Sequence, residues 1–303
     1  MDTQGGLSVE RMCGLAGISR ATFYRQWEAA AVQDVDQELR DLIQRTALRH
    51  PRYGYRKMAV SLRRQGRPVN AKKVRRLMHE DNLLANRKRK FVHTTDSDHD
   101  FLVYPNLAQN VVLSDVNQLW VADITYLRLQ KEFVYLAVVV DAYSRRVVGW
   151  ALDRTLESRV ALAALDRAIA ARQPRPGLVH HSDQGIQYAC NAYVQRLERI
   201  GAWLSMSRAG RPWENGKCER FMRTLKEEEI DARSYGNLEE LAQNLEEFIE
   251  TIYNQERLHA ALGYRTPVEF EQQHHAPLES GRWMPPGVSL RRHEEIYPDV
   301  SGD

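Results

Sequence analysis

A run of three β-rich segments between residues 119 and 151 constrains the fold most strongly. Leu119–Leu129 and Phe133–Val140 are rich in β-branched and aromatic residues, and only the short polar stretch 130–132 separates them. Two such runs joined by a short polar connection are typical of a β-hairpin. Arg146–Ala151 predicts a third strand. We therefore expect three consecutive antiparallel strands in this part of the chain.

Helices and strands alternate after this region. Apolar periodicity predicts helices over 156–171 and 191–200, short strands over 178–182 and 202–206, and a long helix after them. This order indicates an α/β fold with a mixed sheet. The sequence predicts a five-stranded mixed sheet with flanking helices, which is the ribonuclease-H-like architecture.

The N-terminal region has a different pattern. Leu7–Trp27 predicts two short helices around Gly14–Ile18, with Ser19 as the N-cap of the second helix. This is the pattern of a helix-turn-helix, although two helices with a glycine turn also occur in proteins that do not bind DNA. In a DNA complex the second helix would present four residues to a groove: Arg20, Thr22, Tyr24 and Arg25.

Residues 53–84 repeat this helical theme with a strong positive charge. Met58 and Leu62 share one helix face, and Asn70 is placed to cap a following helix whose inward residues include Val74 and Leu77. Residues 49–90 contain 15 Lys or Arg against two acids. Such an imbalance favours a polyanionic partner, double-stranded DNA, over a merely solvated surface. The predicted phosphate-binding residues are Lys72, Lys73, Arg75, Arg76, Arg87, Lys88, Arg89 and Lys90.

These patterns divide the chain into an all-α region and an α/β region. We expect an N-terminal helix-turn-helix over 1–30, a second basic helix-turn-helix-like domain over 31–92, and a linker over 93–112. The ribonuclease-H-like catalytic domain is expected over 113–272, followed by a C-terminal tail over 273–303.

Three carboxylates stand out in the α/β region. Asp123 interrupts the apolar run LWVADITYL, where a charge is costly to bury, and Asp183 directly follows the strand 178–182. The ends of adjacent parallel strands are where sites collect in open α/β sheets. A third acid is expected on the next helix, either Glu219, one or two turns inside it, or Glu214 near its N-terminus.

Carboxylates from separate elements, without Cys or His at metal-ligand spacing, favour a hard cation over zinc. Two Mg²⁺ ions, with Mn²⁺ as a substitute, would neutralise Asp123 and support phosphoryl transfer. Arg223 and Lys226 follow Glu219 by four and seven residues and so share its helix face. They predict a positive flank for a DNA backbone, or alternatively surface ion pairs within the helix.

Other features exclude several classes of protein. The three cysteines are widely separated, so neither a disulfide framework nor a thiolate zinc site is indicated. No apolar run reaches the roughly 20 residues of a membrane span, and the polar N-terminus does not resemble a signal peptide. We expect no membrane partner and a cytoplasmic location.

Three motifs together resemble the catalytic motifs of DDE transposases and retroviral integrases: WVADITYL, HHSDQGIQY and ENGKCERFMRTLKEE. The resemblance is greatest to the second-reading-frame product of the insertion-sequence-three family. Asp123 and Asp183 have 59 residues between them, and Asp183 and Glu219 have 35, the separation for which this family is known. RYGYRKM and NAKKVRRLM resemble the family's helix-turn-helix, and residues 253–270 resemble the segment that closes its catalytic domain.

The resemblance implies that Asp123, Asp183 and Glu219 bind the metal and are catalytic. It implies a bacterial, nucleoid-associated transposase that binds the ends of a mobile DNA element and catalyses strand cleavage and strand transfer. Pairing of two DNA ends implies a homo-oligomer, at least a dimer, and an upstream first-frame product is a possible partner. The alternatives are a metal-dependent nuclease of the same fold and a domesticated DNA-binding regulator.

Four further residues near the motifs have two interpretations each. His180 and His181 precede Asp183, and packing in the core is favoured over metal binding for both. Trp213 and Tyr188 could stack on an unpaired base, although core packing is the better expectation for at least one of them.

Overall fold

A computed structural model describes residues 8–83, 102–109, 111–208 and 211–273. The chain separates into two compact units, 1–87 and 88–303. The predicted DNA contacts 87–90, the predicted linker up to residue 101, and all of the predicted tail except residue 273 lie outside the described residues. No helix within the described ranges is long and apolar enough to cross a membrane.

Residues 8–83 of the N-terminal unit form four helices: α1 (Val9–Ala16), α2 (Arg20–Arg49), α3 (Tyr55–Arg64) and α4 (Ala71–Glu80). Gly17 ends α1 with φ +64°, a left-handed conformation that glycine adopts without strain. The Ser19 hydroxyl accepts a hydrogen bond from the Thr22 N–H at 3.1 Å, which confirms the predicted N-cap.

The expectation of a short second helix is wrong. Helix α2 runs for 30 residues and passes through position 30, the predicted boundary between the first two domains. The segment 20–49 contains neither Gly nor Pro and is rich in Ala, Arg, Gln, Leu and Glu, all strong helix formers. The first residue that opposes continuation is Pro51, just beyond the last turn.

The predicted inward faces of α3 and α4 are confirmed. The side chains of Met58, Leu62, Val74 and Leu77 are fully buried. Asn70 caps α4 by accepting a hydrogen bond from the Lys72 N–H at 2.8 Å. The basic residues of α4 therefore lie on the side of the helix that faces away from this core.

The second unit is built on a five-stranded sheet in the order β3-β2-β1-β4-β5. Its strands are β1 (Leu119–Arg128), β2 (Phe133–Asp141), β3 (Val147–Asp153), β4 (Val179–Ser182) and β5 (Trp203–Met206). Strands β1 to β3 pair antiparallel, whereas β4 pairs parallel with both β1 and β5. This confirms the predicted mixed sheet with a ribonuclease-H-like strand order.

Helices cover both faces of the sheet. They are α5 (Ser158–Arg172), α6 (Ile186–Ala189), α7 (Asn191–Arg199), α8 (Gly216–Glu228), α9 (Leu238–Glu246), which continues into a π-helical segment over Glu247–Glu256, and α10 (Pro267–Gln273). Alternate residues of β1 point to opposite faces. Val121 packs with the core beneath α8 and the π-helical segment, whereas Trp120 packs with the core beneath α5 and α7.

Packing of the second unit begins before residue 113, within the predicted linker. Tyr104 is buried against the α5 and α7 side of the sheet. The Leu107 N–H donates to the Ser205 hydroxyl at 2.8 Å, and the Asn106 amide donates to Glu214 at 2.8 Å. Residues 104–107 are therefore attached to the sheet.

Candidate active site

The parallel register of β1 and β4 brings two of the predicted acids together. Leu119 pairs with Val179 and Val121 pairs with His181, a constant offset of 60 residues. Continued by two positions, the same offset sets Asp123 beside Asp183 at the end of β4. Neighbouring strands lie about 4.8 Å apart, so the two backbones are adjacent here. Both side chains are partly buried.

Asp123 lies in an environment that disfavours its charge. Its pKa is raised to about 8, first by removal from water and then by the negative charge of Asp183, with a smaller contribution from Glu219. The Ile124 N–H, which donates to Asp123 at 2.9 Å, and the charge of Lys226 act in the opposite direction. The charges of Asp183 and Glu219 therefore both act on Asp123.

Glu219 is mounted on the first turn of α8. A turn of 3₁₀-helix, Pro212–Asn215, leads into this helix. The buried side of α8 carries Cys218, Phe221 and Leu225, which pack in the same core as Val121. Because Asp123 and Val121 share a strand face, Glu219 lies over the face of the sheet from which Asp123 projects.

Glu214 is held in other interactions. It accepts hydrogen bonds from the Arg208 N–H at 2.9 Å, from the Arg208 guanidinium at 2.9 and 2.5 Å, and from the Asn106 amide. The Arg208 guanidinium and N–H lower its pKa to about 2. Glu214 is therefore bound in a structural network, which favours Glu219 as the third acid.

Of the two predicted cations on α8, Arg223 and Lys226, Lys226 is the one whose charge acts on Asp123. Its Nζ lies 5.1 Å from the centre of the Tyr126 ring on β1. Burial lowers the pKa of Lys226. Arg223, one turn earlier, is exposed. The structure does not give either of them an ion pair within α8.

The carboxylates do not converge on a common point. Within the described residues, no three Asp, Glu, His or Cys side chains are arranged to hold one metal ion. Neighbouring carboxylates repel, and burial increases that repulsion. The donor set, three carboxylates and no imidazole, fits a hard cation such as Mg²⁺ if the side chains move closer together.

Both histidines before Asp183 belong to the core. His180 is hydrogen-bonded through Nε2 to the Tyr193 hydroxyl at 3.0 Å, and His181 through Nδ1 to the Ser205 hydroxyl at 2.8 Å. Burial lowers the pKa of His180 to about 3 and that of His181 to about 4. Both are neutral at pH 7, as expected for packed histidines.

The two aromatic residues near the motifs have different environments. Tyr188 is buried and packs edge-on against Tyr193, as core packing predicts. Trp213 is 68% exposed in the turn before α8.

Burial, and then the negative charges of Asp123, Asp183 and Glu219, raise the pKa of the Cys218 thiol well above its usual range. Cys218 is a buried neighbour of the acids that the sequence did not indicate.

The basic row of α4 divides into two pairs. Lys73 and Arg76 form ion pairs with Asp36 of α2 at 2.6 and 3.2 Å, and we call them the Asp36-bound pair. Lys72 and Arg75 are exposed, with no ion pair among the described residues, and we call them the exposed pair. The Arg75 guanidinium lies 5.7 Å from the Tyr55 ring centre.

The predicted contacts on α2 lie at its N-terminus. Arg20 and Thr22 are exposed, and Tyr24 is 51% exposed. The Thr22 hydroxyl lies 2.8 Å from that of Ser19, so it also takes part in the cap. The backbone of Arg25 belongs to the same helix, but its side chain lies outside the described part of the structure.

Asn215 is a site residue to which the sequence assigned no role. Its amide donates a hydrogen bond to the Ala122 carbonyl at 2.9 Å, and its side chain is buried. Ala122 immediately precedes Asp123. A polar residue just before a helix was a visible signal, but only the fold reveals its partner 93 residues away.

Family profiles match both units. Residues 114–212 match an integrase core domain, residues 201–267 match a second profile with the same description, and residues 34–91 match an HTH-like domain. Among solved structures, a simian T-cell lymphotropic virus intasome superimposes with a TM-score of 0.46 at 18% identity, covering 76% of this chain and 75% of that one. The HTLV-2 integrase catalytic core in complex with magnesium gives 0.40 at 18% identity, covering 52% and 97%.

Curated relatives match most of the chain. The uncharacterized 31 kDa protein of insertion element IS600 from Shigella sonnei is 35% identical, over 87% of this chain and 98% of that protein. The transposase of IS904 from Lactococcus lactis is 35% identical over 73% and 88%. Transposase InsF of IS3 from Escherichia coli is 32% identical over 89% and 96%. With this similarity, an integrase core and an HTH-like domain, the chain belongs to the IS3 family of insertion-sequence transposases.

Proposed function

We propose that this transposase binds the ends of its own mobile element and catalyses strand cleavage and strand transfer with Asp123, Asp183 and Glu219 as its metal-binding, catalytic acids. The observation that carries the proposal is the β1–β4 register, which sets Asp123 beside Asp183 on the sheet face that α8 covers. The raised pKa of Asp123 supports it, because a nearby cation would favour the charged form that the protein alone disfavours.

Two Mg²⁺ ions, with Mn²⁺ as a substitute, are the proposed cofactor. The three carboxylates would hold them after small side-chain movements, and ions bound there would supply charge neutralisation for phosphoryl transfer.

The proposed reaction has two phosphoryl transfers. In the first, water attacks a phosphodiester at the element end, the bond from phosphorus to the 3′ oxygen breaks, and a 3′-hydroxyl is released. In the second, that 3′ oxygen forms a bond to a phosphorus of the target strand, which loses its own 3′ oxygen as a new hydroxyl. No covalent bond to the protein forms in either step. Lys226 would contribute a positive charge where the phosphate approaches.

We propose three groups of DNA-binding residues. The first is Arg20, Thr22, Tyr24 and Arg25, and the second is the four basic residues of α4 together with the basic sequence 87–90. The third is Arg223 and Lys226 of α8. The match of residues 34–91 to an HTH-like domain supports the second group.

Synapsis of two element ends requires at least two catalytic chains, so we propose a homo-oligomer. An upstream first-frame partner stays a prediction. A bacterial, nucleoid-associated location is proposed because the transposase relatives are from bacteria and the proposed substrate is DNA. The transposase relatives do not favour the nuclease or the regulator.

The test is a cleavage and strand-transfer assay on element-end DNA. We expect Asp123→Asn, Asp183→Asn and Glu219→Gln each to abolish both steps while DNA affinity stays within about twofold. Glu227→Gln on the same helix is the matched control and should remain active. Activity of Glu219→Gln combined with loss in Glu214→Gln would show that the third acid is Glu214.

A second arm separates the transposase from a nuclease. Pre-cut element ends with a free 3′-hydroxyl are supplied together with target DNA and Mg²⁺. The transposase should form joined products, whereas a nuclease would form none. DNA binding without cleavage, even in Mn²⁺, would instead indicate a regulator.

A further inference from the structure

The start of α8 is tied to β1 by one buried side chain, Asn215. Its Nδ2 donates to the Ala122 carbonyl at 2.9 Å, and the residue is 5% exposed. Ala122 is adjacent to Asp123, and Asn215 lies four residues, about one helical turn, before Glu219. A single hydrogen bond thus links the backbone beside one proposed metal-binding acid to the helix that carries another.

The remaining contacts of α8 with the sheet do not fix its height in the same way. Along the buried side of the helix they are apolar, through residues such as Phe221 and Leu225, and apolar contacts have no directional requirement. Lys226, which contacts the Tyr126 ring of β1, lies in the last turn of α8, at the other end of the helix. A donor that must reach one particular carbonyl oxygen has a narrow range of distance and angle. The Asn215 bond is therefore the directional contact that sets this end of α8 against β1.

The same turn is held from its other side. Glu214, the neighbour of Asn215, is bound by Arg208 and by Asn106, as described above. Those residues belong to the loop after β5 and to the segment before β1. The turn before α8 is thus fixed to three separate parts of the fold.

The Asn215 side chain is also incompletely satisfied. Its Oδ1 is buried and has no hydrogen-bond partner within the described residues. A buried amide with one unsatisfied atom is unfavourable, and an apolar residue of similar size would avoid that cost. Retention of an amide here is explained if its donor side has a positional role.

We propose that Asn215 is a positioning residue, which sets the height of Glu219 over Asp123 through its bond to the Ala122 carbonyl. The inference rests on the proposed function, because it assumes that these two acids share the metal. Misplacement of a catalytic group by about 1 Å typically costs about 100-fold in rate. Loss of the bond should therefore affect ion binding and chemistry more than it affects folding.

The test compares Asn215→Leu with Asn254→Leu in the full chain. Asn254 is a matched control, since it is also a buried asparagine that bonds to backbone, here to the N–H and carbonyl of Val147 at 3.0 and 3.1 Å. Val147 lies at the start of β3, the edge strand of the sheet farthest from β4. Both variants lose hydrogen bonds to the backbone of a strand.

Two readouts are measured for each variant: Mn²⁺-induced stabilisation, followed by thermal unfolding as a function of Mn²⁺ concentration, and strand transfer on pre-cut ends. We expect Asn215→Leu to raise the Mn²⁺ half-saturation concentration at least tenfold and to lower strand transfer about 100-fold. Asn254→Leu should lower the melting temperature but leave both readouts near wild type. Equal losses in the two variants would overturn the proposal and make Asn215 a structural residue only.

Glu219→Gln is measured in parallel, so that failure of the positioning role can be distinguished from failure of the proposed function. An inactive Glu219→Gln with wild-type behaviour of Asn215→Leu overturns the positioning role and leaves the proposed function standing. An active Glu219→Gln overturns both. If Asn215→Leu does not fold, Asn215→Ala, which removes the amide without adding bulk, is measured against Asn254→Ala with the same expected difference.

Discussion

The network around Glu214 makes a quantitative prediction about stability. Its carboxylate accepts hydrogen bonds from Arg208 and Asn106, and its pKa is lowered from 4.5 to about 2. This lowering of the pKa corresponds to about 3 kcal/mol of stability at pH 7. The Arg208 side chain is 50% exposed, so solvent screens part of this attraction. We therefore expect Glu214→Gln to lower the free energy of unfolding by about 2 kcal/mol at pH 7.

The pH dependence gives this prediction its sign. A carboxyl group whose pKa is lower in the folded state stabilises the protein fully above its unfolded pKa, about 4.5. That contribution is lost as the pH falls towards 2. At pH 3 the unscreened value decreases to about 1 kcal/mol, so the difference between wild type and Glu214→Gln should fall by more than half.

Urea unfolding at pH 7 and pH 3, in chelator, measures this difference. Glu246→Gln, which neutralises an exposed carboxylate of the same unit, is the control. A difference between wild type and Glu214→Gln that is the same at both pH values would refute the electrostatic explanation. So would a difference below about 0.5 kcal/mol at pH 7, since it would place the network in the range of ordinary surface ion pairs.

Three further predictions follow from contacts elsewhere in the chain. Arg257→Met should lower the free energy of unfolding by about 3–5 kcal/mol, because it leaves the buried Glu228 without its bidentate partner at 2.7 and 2.9 Å. In urea unfolding, the double variant Arg257→Met/Glu228→Met should recover most of this loss. A double variant that recovers none of it would contradict the prediction. Gly149→Ala should lower the free energy of unfolding by at least about 1–3 kcal/mol in the same assay, because the added Cβ would lie 2.2 Å from the Ala164 carbonyl oxygen. An unchanged free energy of unfolding would mean that α5 can move away from β3. Replacing the exposed pair of α4 by Gln should weaken DNA binding and flatten its salt dependence more than replacing the Asp36-bound pair does. Fluorescence anisotropy at several salt concentrations measures both effects. Equal salt slopes for the two variants would contradict the division of α4 into two pairs.

Much of this protein was visible in the sequence because it depends on local pattern. Strands β1 to β3 follow from β-branched runs with a short polar connection, and Asn70 and Ser19 are caps that act within three residues of themselves. The length of α2 was misjudged, although the absence of Gly and Pro from 20–49 was also a local signal. The Gly14–Ile18 turn marks the start of this helix, whereas its end is marked only by Pro51.

The sequence by itself determined the family, because the motifs and their spacing can be read without a structure. It also identified the three acids of the proposed catalytic set. Only the tertiary structure decided which partners each charged group has. Glu214 is bound by Arg208 and Asn106, and Asp36 neutralises two cations of α4. Each of these two arrangements includes a contact between side chains that are far apart along the chain, Asn106 with Glu214 and Asp36 with Lys73. The physical reason is that burial and Coulomb interactions depend on distances in space, which the order of residues alone does not specify.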